Sequence, residues 1–396
     1  MLSVLVVAIL SVPALLALLW LVEVLAGSLA LHRSSVAARA ATAPPSHRTA
    51  VLIPAHNEGR GLVPTIRDVQ GQIGPRDRIL VVADNCTDDT AAVAHACGAD
   101  VIVRDEPARR GKGYALEFGV RHLARDAPDV VVIIDADCRL AANALRILSD
   151  TAQATGRPAQ ALYFMLAPEP ATRGQRASVF AWRVKNWIRP LGLKALGLPT
   201  HLFGTGMAFP LRLLSNRDLG NSRLAEDTAL GLSLAAAGHA PIFASDAQVY
   251  SSFPASQSGS EQQRQRWEKG HLDNIVELVP KAIVRSVRDR NLPLAALAID
   301  MAVPPLSLLV LITVACGIVG AAAVALGAHA AAILPAMASA ACVILGTAIA
   351  WRAAGRDVLP FGDLLRLPLH VLRKLGTYGR IVSGKAASTW IRTDRT

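Results

Sequence analysis

Aromatic residues make up only 5% of the 396-residue chain, and its five cysteines are scattered: Cys86, Cys97, Cys138, Cys316 and Cys342. No two of them form a C-x-x-C pair or another spacing typical of a metal site. The pattern therefore excludes the disulfide framework of a small secreted domain and the ligand set of a zinc finger. Reduced thiols in a cytoplasmic setting fit it best.

Charged residues are missing from three long stretches, Leu2 to Val22, Leu306 to Leu326 and Ala330 to Trp351. Each stretch reaches the roughly 20 residues with which a helix crosses a bilayer, so the sequence predicts three transmembrane helices. The first stretch has no basic start and is long for the apolar core of a signal peptide. Although "LAGSLA", which begins at Leu25, resembles a cleavage site, we predict an uncleaved anchor.

Basic residues outnumber acidic ones, which gives a net charge of +11. Many of them follow the first span, precede the second or follow the third: Arg33, Arg39, Arg48, Lys281, Arg285, Arg288, Arg290, Arg352, Arg356, Arg366, Arg373 and Lys374. The short hairpin at 327–329 has no Lys or Arg. By the positive-inside rule, the long segment between spans one and two and the C-terminal tail are cytoplasmic. We therefore expect these residues to meet anionic membrane lipid, and we expect no nucleic-acid partner.

The segment from about Arg48 to Asp273 alternates short β-branched runs with alanine-rich stretches. "TAVLIPA", "RILVVAD", "ADVIVRD" and "DVVVIIDAD" are typical of strands, whereas "DDTAAVAHACG" and "GKGYALEFGVRHLA" are typical of helices. Alternating βα units predict a Rossmann-like α/β domain with a mostly parallel sheet. In such sheets, ligands bind beyond the carboxyl ends of the strands.

Polar residues follow three of the predicted strands at this edge: His56, Asn57 and Glu58, then Asp84 and Asn85, then Asp135 and Asp137. In an extended chain residues i and i+2 point to the same side, so Asp135 and Asp137 should converge. An isolated D-x-D is most often a solvated turn. Here it follows an apolar run at the expected ligand-binding edge, and two close carboxylates repel each other unless a cation lies between them. Mg²⁺ or Mn²⁺ shared with substrate phosphates fits such oxygen ligands.

An ordered series of short motifs resembles the family 2 glycosyltransferases, membrane-bound enzymes with a GT-A fold that take a sugar from a nucleotide diphosphate. The motifs are "IPAHNE" at 53–58, "ADNCTDDT" at 83–90, "RRGKGYAL" at 109–116, "DAD" at 135–137, "GTGMAFP" at 204–210, "EDTALG" at 226–231 and "QRQRW" at 263–267. The C-terminal "WIRTDR" at 390–395 is similar to the ending of many members. Each motif alone is weak evidence, but seven in order are strong evidence.

The resemblance implies roles for the residues at the predicted edge. It assigns the nucleotide sugar to Pro54, Ala55, Glu58, Asp84, Lys112 and Asp135, and the metal to Asp137 with Asp135. Family members often have two acids where this chain has Ala83 and Asp84. Lys112 alone would be an ordinary solvated lysine at a helix start, but Gly111 and Gly113 beside it would allow backbone amides to approach a phosphate.

The resemblance also implies a catalytic base at Asp227, next to Glu226. Inverting sugar transfer needs such a base, because the acceptor hydroxyl loses its proton as it attacks. The alternative is that both acids only favour the N-terminus of a helix through its dipole.

Two further motifs are implied to hold the sugar, the diphosphate and the acceptor: Gly204, Thr205 and Gly206, and then Gln263, Arg266 and Trp267. His201 and His271 show no ligand spacing and are interpreted as structural.

We expect four parts: a transmembrane helix in 1–30, a GT-A domain in 45–280, a transmembrane hairpin in 292–352, and an amphipathic interfacial helix with a cytoplasmic tail in 357–396. In the last part, "LLRLPLHVLRKLGTYGRIV" places leucines on one side and basic residues elsewhere, with an interruption at Pro368.

The resemblance implies a metal-dependent, inverting hexosyltransferase in the bacterial inner membrane, with its catalytic domain in the cytoplasm. It would transfer a sugar from a UDP-linked donor to a lipid-linked or polysaccharide acceptor in cell-surface glycan synthesis. One alternative is a processive polysaccharide synthase that works with a membrane partner or as an oligomer. Another is a membrane-tethered subunit that binds a nucleotide sugar without catalysis.

Overall fold

The structure is a computed structural model that describes residues 2–33, 47–215, 217, 219–220, 225–254 and 256–383. Arg39 and the "WIRTDR" ending, both used in the sequence interpretation, lie outside these residues.

The described residues form one eight-stranded sheet. Its strands are β1 Thr49–Ala55, β2 Arg78–Asp84, β3 Asp100–Arg104, β4 Val130–Ile133, β5 Arg139–Leu140, β6 Ala159–Leu166, β7 Met207–Pro210 and β8 Ile242–Ser252. The order across the sheet is β3-β2-β1-β4-β7-β6-β8-β5. The first four strands in this order are mutually parallel, and β6 is parallel to β8. β7 runs antiparallel to both of its neighbours, and β5 runs antiparallel to β8. The predicted α/β sheet is confirmed, and the antiparallel strands β5 and β7 make it mixed.

Helices cover both faces of the sheet and continue beyond it. In the described residues they are α1 Leu2–Arg33, α2 Val63–Gln70, α3 Thr90–Ala96, α4 Lys112–Leu123, α5 Ala144–Thr155, α6 Arg173–Arg183, α7 Arg189–Ala195, α8 Glu226–Ala236, α9 Gln257–Arg288, α10 Leu292–Ala302, α11 Leu306–Ala325, α12 Leu334–Ala354, α13 Phe361–Leu364, α14 Leu367–Arg373 and α15 Leu375–Val382. A π-helical turn, Val184–Ile188, joins α6 to α7.

Alternate residues of the central strands enter two cores, as the period of two in a strand requires. Val51 and Ile53 of β1 pack with α2 and α5 on one face. Ala50 and Leu52 pack with α4 on the other face. Because both faces are covered, these strands are apolar throughout, and their carboxyl ends are left as the place where polar groups gather.

Three helices are long and apolar enough to cross a membrane: Leu2–His32, Leu306–Ala325 and Ala330–Ala354. This supports membrane association of the chain. The first helix continues past the charge-free stretch that ends at Val22. The Glu23 carboxylate that follows this stretch is buried and ion-paired with Arg189 at 2.6 Å. The pairing offsets the cost of burying a charge in an apolar helix.

The first apolar helix packs directly against the α/β domain. A Cβ added to Gly27 of α1 would lie 1.9 Å from the Ile188 carbonyl oxygen, and one added to Gly192 of α7 would lie 2.0 Å from the Glu23 carbonyl oxygen. Only glycine permits such a close approach of two backbones at these positions. The contact therefore fixes α1 against α7.

The segment after the third span forms the short helices α13, α14 and α15 rather than one helix. Phe361, Leu365, Leu369 and Leu372 are exposed. Ion pairs from Arg176 to Asp363 and from Lys374 to Glu268 attach the segment to the α/β domain and to α9.

Candidate active site

A cavity of about 290 Å³ opens at the carboxyl ends of β1, β2 and β4 and reaches inward to α7 and α10. Its lining includes the sequence-predicted residues Pro54, Ala55, Glu58, Asp84, Lys112, Asp135, Asp137, Gly204, Glu226, Asp227, Arg266 and Trp267. Thr205, Gly206 and Gln263 are not in its wall. We call the part formed by residues 54–58, 84, 112, 135 and 137 the sheet end.

The turn after β1 is held at the sheet end by two neighbouring segments. The Thr90 hydroxyl accepts hydrogen bonds from the backbone amides of Glu58 and Gly59, each at 2.9 Å. The His56 ring nitrogen Nδ1 lies 2.7 Å from the Asp84 carbonyl oxygen. Asp84 is buried and ion-paired with Arg104 on β3. Arg104 therefore orients the Asp84 carboxylate, which the resemblance assigns to the nucleotide sugar. Arg104 itself belongs to none of the sequence motifs.

Lys112 begins α4 and forms an ion pair with Asp135. Its Nζ also donates to the Gly204 carbonyl oxygen at 2.8 Å. Burial lowers the pKa of Lys112, but Asp135 and Glu226 outweigh burial and hold the pKa above its usual value. The ammonium is thus a fixed positive charge at the sheet end, and the reading of Lys112 as an ordinary solvated lysine does not apply.

β4 ends at Ile133, so Asp135 and Asp137 lie in the turn that follows the strand rather than on extended chain. The expected convergence by strand alternation therefore does not hold, although both residues line the cavity. The Ser251 hydroxyl of β8 donates to Asp137 Oδ2 at 2.6 Å and orients that carboxylate. In the described residues the cation beside Asp135 is Lys112, and no group of three or more His, Cys, Asp or Glu side chains gathers as a closed metal site.

The loop at 204–206 is built on backbone conformations that favour glycine, with φ of +86° at Gly204 and +63° at Gly206. Thr205 is fully buried, and its hydroxyl accepts from the Asp135 amide at 2.9 Å. A Cβ on Gly206 would lie 2.8 Å from the Ala161 Cβ, so Gly206 packs against the sheet. Gln160 donates to the Thr205 carbonyl oxygen at 3.0 Å. Thr205 and Gly206 thus shape the loop from behind, and only Gly204 faces the cavity.

Gly204 also marks where a positive and a negative group meet. A Cβ added there would lie 3.5 Å from Asp227 Oδ2 and 3.6 Å from Lys112 Nζ. Glu226 and Asp227 form the first turn of α8, which Asn274 of α9 positions by donating to the Ala225 carbonyl oxygen at 3.0 Å. Burial, together with Asp227, raises the pKa of Glu226 to about 7, and burial also raises the pKa of Asp227. These acids are therefore not a solvated helix start.

Only two of the three residues of the "QRQRW" motif on α9 reach the cavity. Arg266 and Trp267 line the cavity, whereas Gln263 is buried outside its wall. Burial lowers the pKa of Arg266, while Glu226 and Asp135 favour its charged form. The Trp267 ring lies against Trp182 of α6, with centroids 4.8 Å apart. Trp182, which belongs to no predicted motif, also lines the cavity.

The inner part of the cavity was not predicted from the sequence. Its wall includes Lys185, Asn186, Arg189, Thr200, His201, His271 and Asp300, and we call it the α1 end. The Arg189 guanidinium bridges Glu23 of α1 and Asp300 of α10, each at 2.6 Å. His201 Nε2 lies 2.9 Å from Asp300 Oδ2. The histidines interpreted as structural are therefore part of the cavity wall, and no local sequence signal distinguishes them.

Comparison with known proteins extends these observations. The profile described as glycosyltransferase like family 2 matches residues 44–270, which is more than half of the chain. Glucosyl-3-phosphoglycerate synthase of Mycobacterium tuberculosis is 38% identical over 93 residues, covering 22% of this chain and 28% of that protein. An uncharacterised glycosyltransferase of Mycobacterium bovis is 32% identical over 143 residues, covering 34% of this chain and 59% of that protein. The chain thus spans 28% to 59% of the length of these curated relatives.

Among solved structures, the mannosyltransferase PcManGT from Pyrobaculum calidifontis, in complex with GDP-Man and Mn²⁺, has a TM-score of 0.52. It is 19% identical, and the match covers 87% of this chain and 97% of that chain. At this identity the likeness concerns the fold alone. It confirms the predicted GT-A architecture.

Proposed function

The chain belongs to glycosyltransferase like family 2, and from that membership we propose an inverting hexosyltransferase of the bacterial inner membrane. It takes a sugar from a UDP-linked donor and transfers it to a lipid-linked or polysaccharide acceptor in cell-surface glycan synthesis. The observation that carries this proposal is the meeting of Lys112 and Asp227 at Gly204, inside a cavity at the carboxyl edge of the sheet. This supports a reading in which Asp227 is the base and Lys112 is a cation that binds phosphate, with one small space between them.

In the proposed reaction, Asp227 accepts the proton of an acceptor hydroxyl as its oxygen attacks the anomeric carbon. The bond between that carbon and the diphosphate oxygen breaks at the same time, with inversion. Lys112 and Arg266 hold the negative charge that develops on the leaving diphosphate. Trp267 and Trp182 supply flat faces on which a sugar ring packs. Pro54, Ala55, Glu58 and Asp84 hold the nucleoside, with Arg104 orienting Asp84.

We propose Mg²⁺ or Mn²⁺ as the cofactor, with Asp137 as its main protein ligand and Asp135 nearby. The donor set fits, because such ions are commonly bound by one or two carboxylates plus substrate phosphates and water. The Ser251 hydrogen bond to Asp137 holds the ligand in place, as outer partners of metal ligands generally do. When bound, the cation would neutralise part of the diphosphate charge.

The test of donor and metal uses the full chain purified in detergent. Incubation with a panel of UDP- and GDP-sugars, including GDP-mannose, should release free nucleotide from one donor and only with Mg²⁺ or Mn²⁺ present. Full activity in excess chelator would contradict the metal assignment. If the chain binds a nucleotide sugar but releases no free nucleotide with any lipid or glycan acceptor added, the alternative of a non-catalytic subunit is favoured instead.

A short product is proposed rather than an extruded polymer. A polar polymer crossing hydrocarbon needs shielding on all sides. The hydroxyls of Thr313 and Ser339 are 3.0 Å apart, and those of Ser307 and Tyr378 are 2.7 Å apart, so these groups pair with each other within the described bundle. In vesicles that hold the chain and its donor, we expect lipid-extractable products of one or a few sugars. Long polymer inside such vesicles would restore the processive alternative, with an oligomer or a partner supplying further helices.

A further inference from the structure

The α1 end of the cavity is built on an unusual piece of backbone. The π-helical turn Val184–Ile188 interrupts the helical segment between α6 and α7, and it carries both Lys185 and Asn186. Such turns are rare and frequently occur at functional sites. The Lys185 side chain is exposed to the space of the cavity. The protein that surrounds this part of the cavity lowers the pKa of its amine by burial. The turn therefore places a cation inside the catalytic cavity.

The other charged groups of this wall already have partners. Arg189 lies between Glu23 and Asp300, and His201 contacts the second Asp300 oxygen. Burial lowers the pKa of His271 to about 3, so this ring is neutral. Lys185 has neither a hydrogen bond nor an ion pair with any other described residue. Its ammonium is therefore not required to neutralise the carboxylates of Glu23 and Asp300.

Three neighbouring side chains have buried polar atoms without a partner in the described part of the chain. These are Asn186 Nδ2, Thr200 Oγ1 and His201 Nδ1. Asn186 and Thr200 are each only 1% exposed. A buried donor without a hydrogen bond is costly and calls for an explanation. An amide nitrogen, a hydroxyl and an ammonium together are complementary to a ligand with several acceptor oxygens and a negative charge.

We propose that the α1 end binds a phosphoryl group carried by the acceptor, with Lys185 as its counter-ion. The inference rests on the proposed function, because it places the acceptor's reacting hydroxyl beside Asp227 at the opposite side of this space. No bond of the phosphoryl group changes during transfer. Burial lowers the pKa of Lys185, whereas the negative charge of Asp227 favours its ammonium form, as a bound phosphoryl group also would. The phosphoryl group belongs either to a lipid or to a soluble acceptor.

The test measures phosphate binding by equilibrium dialysis of radiolabelled inorganic phosphate against the full chain in detergent. UDP, GDP and Mg²⁺ are present at saturation, so that the sheet end is filled. Lys185→Met removes the charge at similar length, and Lys185→Arg retains it. Lys194→Met is the matched control, since Lys194 lies on α7 but is exposed and bonded to the Ser245 hydroxyl at 2.7 Å. Thermal unfolding of each variant establishes that it is folded.

We expect Lys185→Met to weaken phosphate binding by about tenfold to a hundredfold, the range for a lost hydrogen bond to a charged group. Lys185→Arg and Lys194→Met should stay within about threefold of the original chain, well below the loss expected when that bond is removed. Equal binding by the original chain and Lys185→Met would overturn the proposal. Equal loss of nucleotide-sugar affinity in Lys185→Met would overturn it as well, since Lys185 would then belong to the donor site.

Two competitors distinguish the source of the phosphoryl group. Displacement by phosphatidic acid in nanodiscs, with no effect of phosphatidylcholine alone, supports a lipid acceptor. Displacement by glycerol 3-phosphate but not by phosphatidic acid supports a soluble one. The dialysis needs no turnover. Phosphate binding as expected with no donor cleaved would therefore contradict the proposed function and leave the phosphate site standing.

Discussion

The sheet end and the α1 end of the cavity contain similar groups but are built differently. At the sheet end, Lys112 pairs with Asp135 and Arg104 pairs with Asp84. At the α1 end, Arg189 pairs with Glu23 and Asp300. The carboxylates of the sheet end lie at the end of β2 or in the turn after β4, two strands of one sheet. Those of the α1 end come from two helices, α1 and α10, that are far apart in the sequence.

The difference shows that the first apolar helix is connected to the wall of the cavity. Glu23 lies in a helix apolar enough to span a membrane, and its partner Arg189 lies in the wall of the cavity. The donor's nucleotide needs only the edge of the sheet, which many folds of this class provide. The α1 end exists only when α1 and α10 are packed in place. We therefore expect changes at the sheet end to alter chemistry, and changes at the α1 end to alter both stability and acceptor binding.

The largest effect is expected where the two ends meet, at Asp227. Asp227→Asn keeps the shape and the capping ability of the side chain but removes the proton acceptor. Transfer should fall by about 10²- to 10⁴-fold, the usual contribution of a general base. Nucleotide affinity, measured by calorimetry, should stay within about threefold, a change of less than 1 kcal/mol in binding free energy.

The control for this substitution is Asp246→Asn, because Asp246 is exposed on β8 and outside the cavity wall. It should transfer sugar at the original rate. If Asp227→Asn also does so, the base lies elsewhere, and the acids at 226–227 serve only the start of α8.

The second prediction compares how an ion pair at each end contributes to the stability of the fold. Arg189→Met leaves the buried carboxylates of Glu23 and Asp300 without their guanidinium, and breaking a buried pair in this way costs about 3–5 kcal/mol. Arg104→Met leaves only Asp84 buried without its cation, because Glu106 is half exposed. We expect a smaller loss of stability there and weaker nucleotide binding instead. Denaturant unfolding in detergent measures the first effect, and calorimetry measures the second.

The triple variant Glu23→Met, Arg189→Met, Asp300→Leu is the control, since replacing a whole buried ion cluster by apolar groups of similar volume is often neutral or stabilising. It should recover most of the stability lost in Arg189→Met. Loss of the same size in the triple variant would mean that packing of α1 against α7, rather than charge, dominates.

The sheet end could be predicted because its information is local. The apolar runs at 49–55, 78–84 and 130–133 are strands, and parallel strands bring the residues that follow them to one edge. The geometry within that edge was harder to predict. β4 stops at Ile133, so the alternation rule did not apply to Asp135 and Asp137, and the cation beside Asp135 is Lys112, which lies on another element.

The α1 end could not be predicted because no short segment contains it. His201, His271 and Asp300 come from a loop, α9 and α10, and they meet only through packing between distant parts of the chain. The sequence of α1 contains one indication that did not enter the prediction: Glu23 is the single acidic residue of this mostly apolar helix. A buried acid in such a helix requires a partner, although the sequence does not identify Arg189 as that partner.

A third effect concerns pH and the pair at 226–227. Burial and Asp227 raise the pKa of Glu226 to about 7, and burial raises that of Asp227. A raised pKa keeps a carboxyl protonated at low pH, so the base form is lost as pH falls, and transfer should decline on the acidic side. Glu226→Gln removes the neighbouring negative charge and should move this acid limb to lower pH by on the order of one unit. The measurement is kcat against pH at saturating donor. An unchanged acid limb would mean that the two carboxyls do not titrate together.

The smallest effect is expected at the second connection between the apolar helices and the catalytic domain. Lys374, which follows α14, contacts Glu268 of α9 at 2.7 Å, one residue after Trp267. Its side chain is 20% exposed, more than Arg189 at 11%, and its amine also donates to the Ser307 hydroxyl at 3.1 Å. Glu268 is 12% exposed, so the pair lies between an exposed pair, worth about 0–1 kcal/mol, and a fully buried one. Lys374→Met leaves one carboxylate without its cation, whereas Arg189→Met leaves two, so it should lower the free energy of unfolding by less than Arg189→Met, with phosphate binding at the α1 end unchanged. Lys281→Met, at an exposed position of α9, is the control for removing a lysine. A loss in Lys374→Met as large as that in Arg189→Met would show that the tail helices, and not only α1, hold the catalytic domain in its folded arrangement.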